Sequence, residues 1–292
     1  MYYQLLFSKS KAIKQLISGY LASCFSVFTN DRGITGIESR KVPLYQGGYN
    51  QKILYISGMA MGISKSQNLP VMEIAQAMAG HLSQNSDSLF SVKVIPPGWI
   101  YIELIDSTLA AWLQNLIVFP ENGYLVNNFL DYQLPVTNDQ SQISLHSLTI
   151  FKIQYAHSRC CSLLRLGQKD GLIELDKTGT KSYFSVKPIP LLNGDQKLLL
   201  NHADEMLLMH QLVKLVDDLV CPDSSSSINW EKAAENLSQA FEKFWGSCRI
   251  WGEVKIKTPE LSQARLGLLI ATQLILRSVL ENKLRLVALV EL

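Results

Sequence analysis

Apolar residues recur at helical spacing through residues 2–28, where Leu5, Leu6, Ile13, Leu16, Ile17, Tyr20, Leu21 and Phe25 share one face. That pattern predicts an amphipathic helix. Residues 32–68 hold more Gly and shorter apolar runs, and KILYISGMAMGI reads as a strand or buried segment ending at a turn. Pro70 then opens a helix over VMEIAQAMAGHL, with Pro at the first helical position and Glu73 in the first turn. After NSDS, FSVKVI alternates apolar and polar positions, PPG turns the chain, and WIYIEL alternates again. Two adjacent strands follow from that alternation. Asp106 or Ser107 caps a further helix, TLAAWLQNLI.

The pattern changes at residues 119–147, which carry three acidic residues, no Lys or Arg, and scattered Pro, Gly and Asn. This reads as a linker. Beyond it, segments 148–167, 200–221, 229–249 and 259–290 each repeat apolar positions at the helical period, while 170–195 is turn-rich. The expected architecture is an α+β domain over 1–118, a linker over 119–147, and an all-α bundle over 148–292.

Composition narrows the functional classes. With 292 residues, the chain can build two real cores, and 47% hydrophobic against 18% charged residues describes a globular protein. A net charge of +2 excludes a uniformly basic nucleic-acid binder, so any RNA contact needs a local patch. The apolar stretches Gln15–Asn30 and Ser107–Pro120 are shorter than the roughly 20 residues a bilayer needs, so no membrane span is expected. The first residues lack the basic start of a secretory signal. Five scattered cysteines without CxxC spacing point to a reducing cytoplasm rather than a disulfide framework.

The residues that could carry chemistry concentrate in FKIQYAHSRCCSLLR, residues 151–165. A nucleophile with its base, a metal site, an RNA face and a packed helix all fit such a segment. Cys160 falls on the stripe Ile153, Ala156, Cys160, Leu163 and Leu164, which assigns it to the core rather than to catalysis with His157. His202 and His210 lie near Asp204 and Glu205, yet no further ligand follows at metal spacing, so they read as ordinary histidines on a solvated face. Asp217 and Asp218 are adjacent and point to different sides of a helix, which makes a poor acid–base pair. There is no phosphate loop, no GxGxxG after a strand and no HExxH. No cofactor and no metal are expected.

Gln154-Tyr155-Ala156-His157-Ser158-Arg159, followed by Ser162 and Arg165, resembles the QYAHAR-type segment that opens the anticodon-binding (DALR) domain of arginyl-tRNA synthetases. NLSQAFEKFWGSCRIWG (236–252) is similar to the family's ELAxAFxRFYESCxV helix, through Leu237, Ala240, Phe241, Phe244, Trp245, Ser247 and Cys248. ARLGLLIATQLILRSVLENKLRLV (264–287) resembles the ARLALVxATRQVLxNGLxLL helix pair, through Ala264, Arg265, Leu266, Ala271, Thr272, Leu280, Asn282 and Leu284. In the first part, PVMEIAQAMAGHL (70–82) and VKVIPPGWIYIELIDSTLAAWL (92–113) are similar to two stretches of the same enzymes' N-terminal additional domain. The nucleotide-binding fold that separates these domains in the synthetases has only residues 119–147 in its place, and GISKSQ (62–67) echoes the KMSKS loop by chance. The chain looks like the stand-alone DALR-domain proteins of cyanobacterial type.

The resemblance implies RNA contacts without aminoacylation. In the family, an aromatic-x-Asn pair after the PG turn reads the D-loop corner of tRNA, and Trp99 and Tyr101 occupy those positions. Trp99 either stacks on a base or packs in the sheet, and Tyr101 replaces the Asn. In the DALR part, the candidates are Tyr155, His157, Arg159, Arg249, Trp251, Lys255, Lys257, Arg265 and Arg277. RIWGEVKIK (249–257) suits phosphates plus one stacking ring, or else a solvated loop beside a core Trp. LVALVEL does not match the family's tail, which implies reduced anticodon specificity. The expected function is a non-catalytic binder of tRNA or structured RNA, with a protein–protein adaptor as the alternative.

Overall fold

In the computed structural model, which describes residues 12–31, 42–48, 52–86, 88–118, 147–176, 183–222 and 227–292, the first element is helix α1 (Ile13–Asp31). Its apolar face carries Ile13, Ile17 and Leu21, all fully buried. The start of the predicted helix, residues 2–11, and the predicted linker 119–147, apart from Ser147, lie outside the described residues. The chain divides into two compact units, Met1–Trp112 and Leu113–Leu292.

The first unit is α+β. Strands β1 (Leu44–Gln46), β2 (Leu54–Ser57), β3 (Phe90–Ile95) and β4 (Trp99–Leu104) form an antiparallel sheet in the order β1-β2-β4-β3. Helix α2 (Met59–Gln67) and helix α3 (Val71–Asn85) follow β2, and α4 (Asp106–Ile117) follows β4. Helix α3 packs on β3 and β4 and against α1 and α2, burying Ile74, Ala75, Met78 and Leu82. Alternation in β4 sends Ile100, Ile102 and Leu104 inward and leaves Trp99, Tyr101 and Glu103 half-buried.

MAMGISKSQ departs from its strand-or-turn reading. The strand stops at Ser57, and Met59, Ala60 and Ile63 bury one face of a helix that ends in left-handed Asn68. Pro70 caps α3 from just outside rather than occupying its first turn. The PPG turn joins β3 to β4 through a cis Pro96–Pro97 bond, and Gly98 N donates to Ile95 O at 2.9 Å.

The second unit is a helical bundle: α5 (Ser147–Lys169), α6 (Ala203–Val220), α7 (Trp230–Ser247), α8 (Glu253–Lys257) and α9 (Pro259–Ser278). Two short strands, β5 (Leu175–Asp176) and β6 (Phe184–Ser185), pair in the turn-rich stretch after α5. Helix α9 is buried almost throughout, from Ala264 to Leu276, with α5, α6 and α7 packed against it. At the first turn of α6, His202 Nδ1 accepts from Asp204 N at 3.2 Å and Glu205 Oε2 accepts from His202 N at 2.8 Å. Asn229 Oδ1 accepts from Lys232 N at 2.9 Å at the start of α7.

Two expectations are corrected here. The helix predicted over 259–290 is regular only to Ser278; a π-helical turn, Val279–Lys283, widens it, Arg285 turns left-handed at φ 60°, and the chain then runs on without regular secondary structure. The period misled because Ala288 is buried from an irregular segment, not from a helix. The membrane reading also overlooked Pro259–Lys283, which is long and apolar enough to cross a bilayer by length and composition. Its apolar window is 89% buried inside the protein, as befits the core helix of the bundle.

Gly98 sits at φ 143°, and a Cβ there would meet Val71 Cγ1 at 2.1 Å. Gly98→Ala is expected to destabilise the first unit by at least about 1–3 kcal/mol, since both the backbone and the α3 start must give way. Amide exchange of the β3 and β4 residues under native conditions checks this; unchanged protection would show that the turn relaxes freely.

Candidate nucleic-acid interface

The polar signature of α5 splits into two faces. Gln154, His157 and Ser158 lie at helical spacing and clasp the irregular segment that follows the π-helical turn. Gln154 Nε2 donates to Val287 O at 2.7 Å, and Gln154 Oε1 accepts from Leu289 N at 3.0 Å. Ser158 Oγ donates to Leu289 O at 2.7 Å, and His157 Nδ1 donates to the same carbonyl at 2.8 Å. Because a carbonyl only accepts, the His157 proton is on Nδ1, which leaves Nε2 to accept from Gln273 Nε2 at 2.9 Å. His157 is fully buried, so both ring nitrogens serve the domain's interior. The neighbouring thiol is Cys161, at 3.9 Å from His157 Nε2, and burial pushes it up to about 12. Burial also pushes the Cys160 thiol well above its usual range, so neither is a nucleophile near neutral pH.

The second face of α5 meets α7, and the two helices run in the same direction. Lys152 pairs with Glu235 at 3.4 Å, Arg159 lies over the Trp245 ring at 5.0 Å, and Asp170 reaches Trp251. Trp251 meets Trp245 edge-on, with centroids 6.3 Å apart. Its Nε1 donates to Asp170 Oδ2 at 2.9 Å, and Lys255 Nζ reaches the same oxygen at 3.0 Å. The hydrogen bond from Lys255, helped by that from Trp251, holds the Asp170 carboxyl below the usual carboxylate range. Arg159 Nε is buried without a hydrogen-bond partner. The result is a row in which two adjoining indole rings lie between Arg159 and Lys255, running along the last three turns of α5 to Asp170 just beyond its end.

Helix α9 anchors the loop that supplies Trp251. Arg265 Nε donates to Glu205 Oε1 at 2.6 Å in a buried ion pair, and Arg265 also bonds the Arg249 carbonyl. Ser262 Oγ donates to Ile250 O at 2.7 Å. Gly252, at φ 74°, then starts the short α8 that carries Lys255 and Lys257.

In the first unit, Trp99 lies against Gly58, where a Cβ would come within 3.0 Å of the ring. Tyr101 pairs with Ile56 and Lys93, and Ile56 pairs with Tyr45, so these residues cross the sheet on one face. Tyr45 at its edge is 61% exposed.

Residues 153–287 match the DALR anticodon binding domain. The match covers 135 of the 292 residues (153 to 287), all of them in the second unit. The relatives agree. The chain is 29% identical over 185 residues to the arginine–tRNA ligase of Synechococcus sp., covering 60% of this chain and 29% of that ligase. It is 26% identical over 153 residues to the ligase of Ruminiclostridium cellulolyticum, covering 52% and 23%. It is 30% identical over 159 residues to the chloroplastic/mitochondrial ligase of Arabidopsis thaliana, covering 54% and 20%. The chain thus spans less than a third of the length of these curated relatives. No solved structure matches it significantly.

Within the matched stretch the predicted residues part company. Arg159, Trp251 and Lys255 come together, with Arg249 exposed nearby on the same loop. His157 and Arg265 do not join them: both are buried and hold the domain together, so the expectation of RNA contact there is corrected. Arg277 is tied to Glu281 at 3.0 Å and Lys257 to Glu253, each one helical turn away. Tyr155 lies elsewhere, stacked with Phe151 at 6.4 Å in an exposed apolar stripe with Leu148. Sequence reasoning missed Trp245, whose ring links Arg159 to Trp251, and Asp170, which satisfies both Trp251 and Lys255. Trp245 stands in the quoted α7 motif, where its helical phase beside buried Phe241 and Phe244 was the available signal.

Gln154→Ala removes two hydrogen bonds and is expected to cost about 1–3 kcal/mol. The loss should appear first as faster exchange of the Leu289 amide; protection equal to wild type would mean that the clasp contributes nothing.

Proposed function

We propose that this chain is a non-catalytic protein that binds tRNA or tRNA-like structured RNA through its DALR domain. The observation that carries the reading is the row Arg159–Trp245–Trp251–Lys255, which combines cations for phosphates with ring faces for unpaired bases. The kinship with arginine–tRNA ligases supports RNA as the partner class. Trp99, Tyr101 and Tyr45 offer a separate stacking surface in the first unit, which we read as resembling the additional N-terminal domain of those ligases. Among the described residues no group of three or more His, Cys, Asp or Glu could hold a metal ion. The five free cysteines suit a reducing cytoplasm as the place of action.

The test is filter binding with total tRNA at about 50 mM salt, repeated at about 200 mM, where the loss of affinity reports released counterions. Trp245→Ala is expected to weaken binding roughly five- to 150-fold, the range for losing one stacked base. Charging of tRNA with arginine should stay at background. Failure to retain any tRNA at the lower salt would sink the reading.

A second reading, a protein–protein adaptor, is favoured by one observation. Leu148, Phe151 and Tyr155 form an apolar stripe on α5 that is 66%, 56% and 43% exposed. A pull-down from RNase-treated lysate should then recover one stoichiometric protein with the wild type and lose it with Phe151→Asp. Recovery of RNA alone, and only without RNase, counts against the adaptor.

A further inference from the structure

Asp170 is an acid in an unfavourable place. It follows directly on Lys169, the last residue of α5, where the negative end of the helix dipole disfavours a carboxylate. Two donors offset that disadvantage, and both converge on one oxygen: Trp251 Nε1 at 2.9 Å and Lys255 Nζ at 3.0 Å act on Oδ2. Neither group is sealed off, since the Lys255 side chain is 36% and the Asp170 side chain 27% exposed. An indole N–H beside an ammonium, both aimed at one anionic oxygen, is also the donor set that a non-bridging phosphate oxygen requires. The pair stands at the end of a row that continues through Trp245 to Arg159.

We propose that Asp170 is an internal counterion that holds the phosphate place of the Trp251–Lys255 pair and is displaced when an RNA phosphate enters. This deepens the RNA-binding reading above and rests on it. The exchange does two things. In the free protein, the carboxylate keeps the Trp251 ring and the Lys255 stem oriented, so little ordering remains to be done on binding. In the complex, one anion replaces another, so the net gain is smaller than an unpaired lysine would give. Asp170 therefore sets affinity downward and makes release easy.

Asp170→Asn separates this role from mere support. An Asn Oδ1 still accepts from the Trp251 N–H, while the charge that neutralises Lys255 is gone. In filter binding, Asp170→Asn is expected to bind tRNA about two- to fivefold more tightly at 50 mM salt, the scale of one partly exposed ion pair. Its log–log salt dependence should steepen by about 0.7–0.9, the contribution of one phosphate contact that is no longer offset by counterion uptake at a displaced carboxylate. Unchanged or weaker binding with an unchanged slope overturns the proposal and leaves Asp170 as a structural residue. A second measurement does not depend on RNA. The Trp251 indole N–H signal, assigned by its loss in Trp251→Phe, is followed by NMR as tripolyphosphate is added at low salt. It should shift and saturate at lower tripolyphosphate in Asp170→Asn than in the wild type. A signal that moves in neither protein also overturns the exchange. If tripolyphosphate moves it while neither protein binds tRNA, the exchange stands and the RNA-binding reading fails.

Discussion

A helix that is apolar on every side has to be enclosed, and α9 is such a helix. Its burial sets the terms for the whole second unit. The three long helices α5, α6 and α7 gather around it. Its few polar side chains must find partners inside, because an unsatisfied buried group costs more than a bond returns. Gln273 meets His157, Arg265 meets Glu205, Ser262 takes the Ile250 carbonyl, and Thr272 bonds back to Leu268. The conspicuous histidine of α5 and the conspicuous arginine of α9 are therefore answers to one requirement. Replacing a single member of the Arg265–Glu205 pair leaves a buried charge behind, which is costlier than never having had the pair.

That requirement also shapes the candidate interface. Arg265 takes the Arg249 carbonyl and so presents the Trp251 loop from beneath, while the loop's own cations stay toward solvent. Much of the positive charge that the sequence places here is already matched. Lys255 faces Asp170, Lys257 faces Glu253, and Arg277 faces Glu281. The exposed pair Lys257–Glu253 contributes little to stability. The effect of the three pairs is on the local field, which is weaker than a count of Lys and Arg suggests.

The long helices, the β3–β4 pair and the core assignment of Cys160 could be read from residue spacing, because burial on one face imposes period 3.6 or 2. The short helix α2 could not, because its strand-like run KILYIS continues without a polar break into MAMGI. The irregular segment after Lys283 was misread for a related reason: one buried Ala288 mimics a helical repeat. Of the candidate site, the loop 249–257 was legible from its cations interleaved with a Trp, and Arg159 from the family resemblance. Their linkage through Trp245 and Asp170 was not, since it depends on contacts between residues 81 (Asp170 to Trp251) and 86 (Arg159 to Trp245) positions apart. The burial of His157 was not legible, because a polar residue in a helix motif looks the same whether it faces solvent or an inner carbonyl.

The clasp of Gln154, His157 and Ser158 on Val287 and Leu289 joins residues 131–135 positions apart. Contacts that distant close late, after the intervening helices have shortened the loop between them. During synthesis, α5 emerges on the order of ten seconds before the segment it holds. Over that interval the inward polar face of α5 has only water to bond. The helix most marked by its sequence thus depends for its inner polar partners on a segment made well after it.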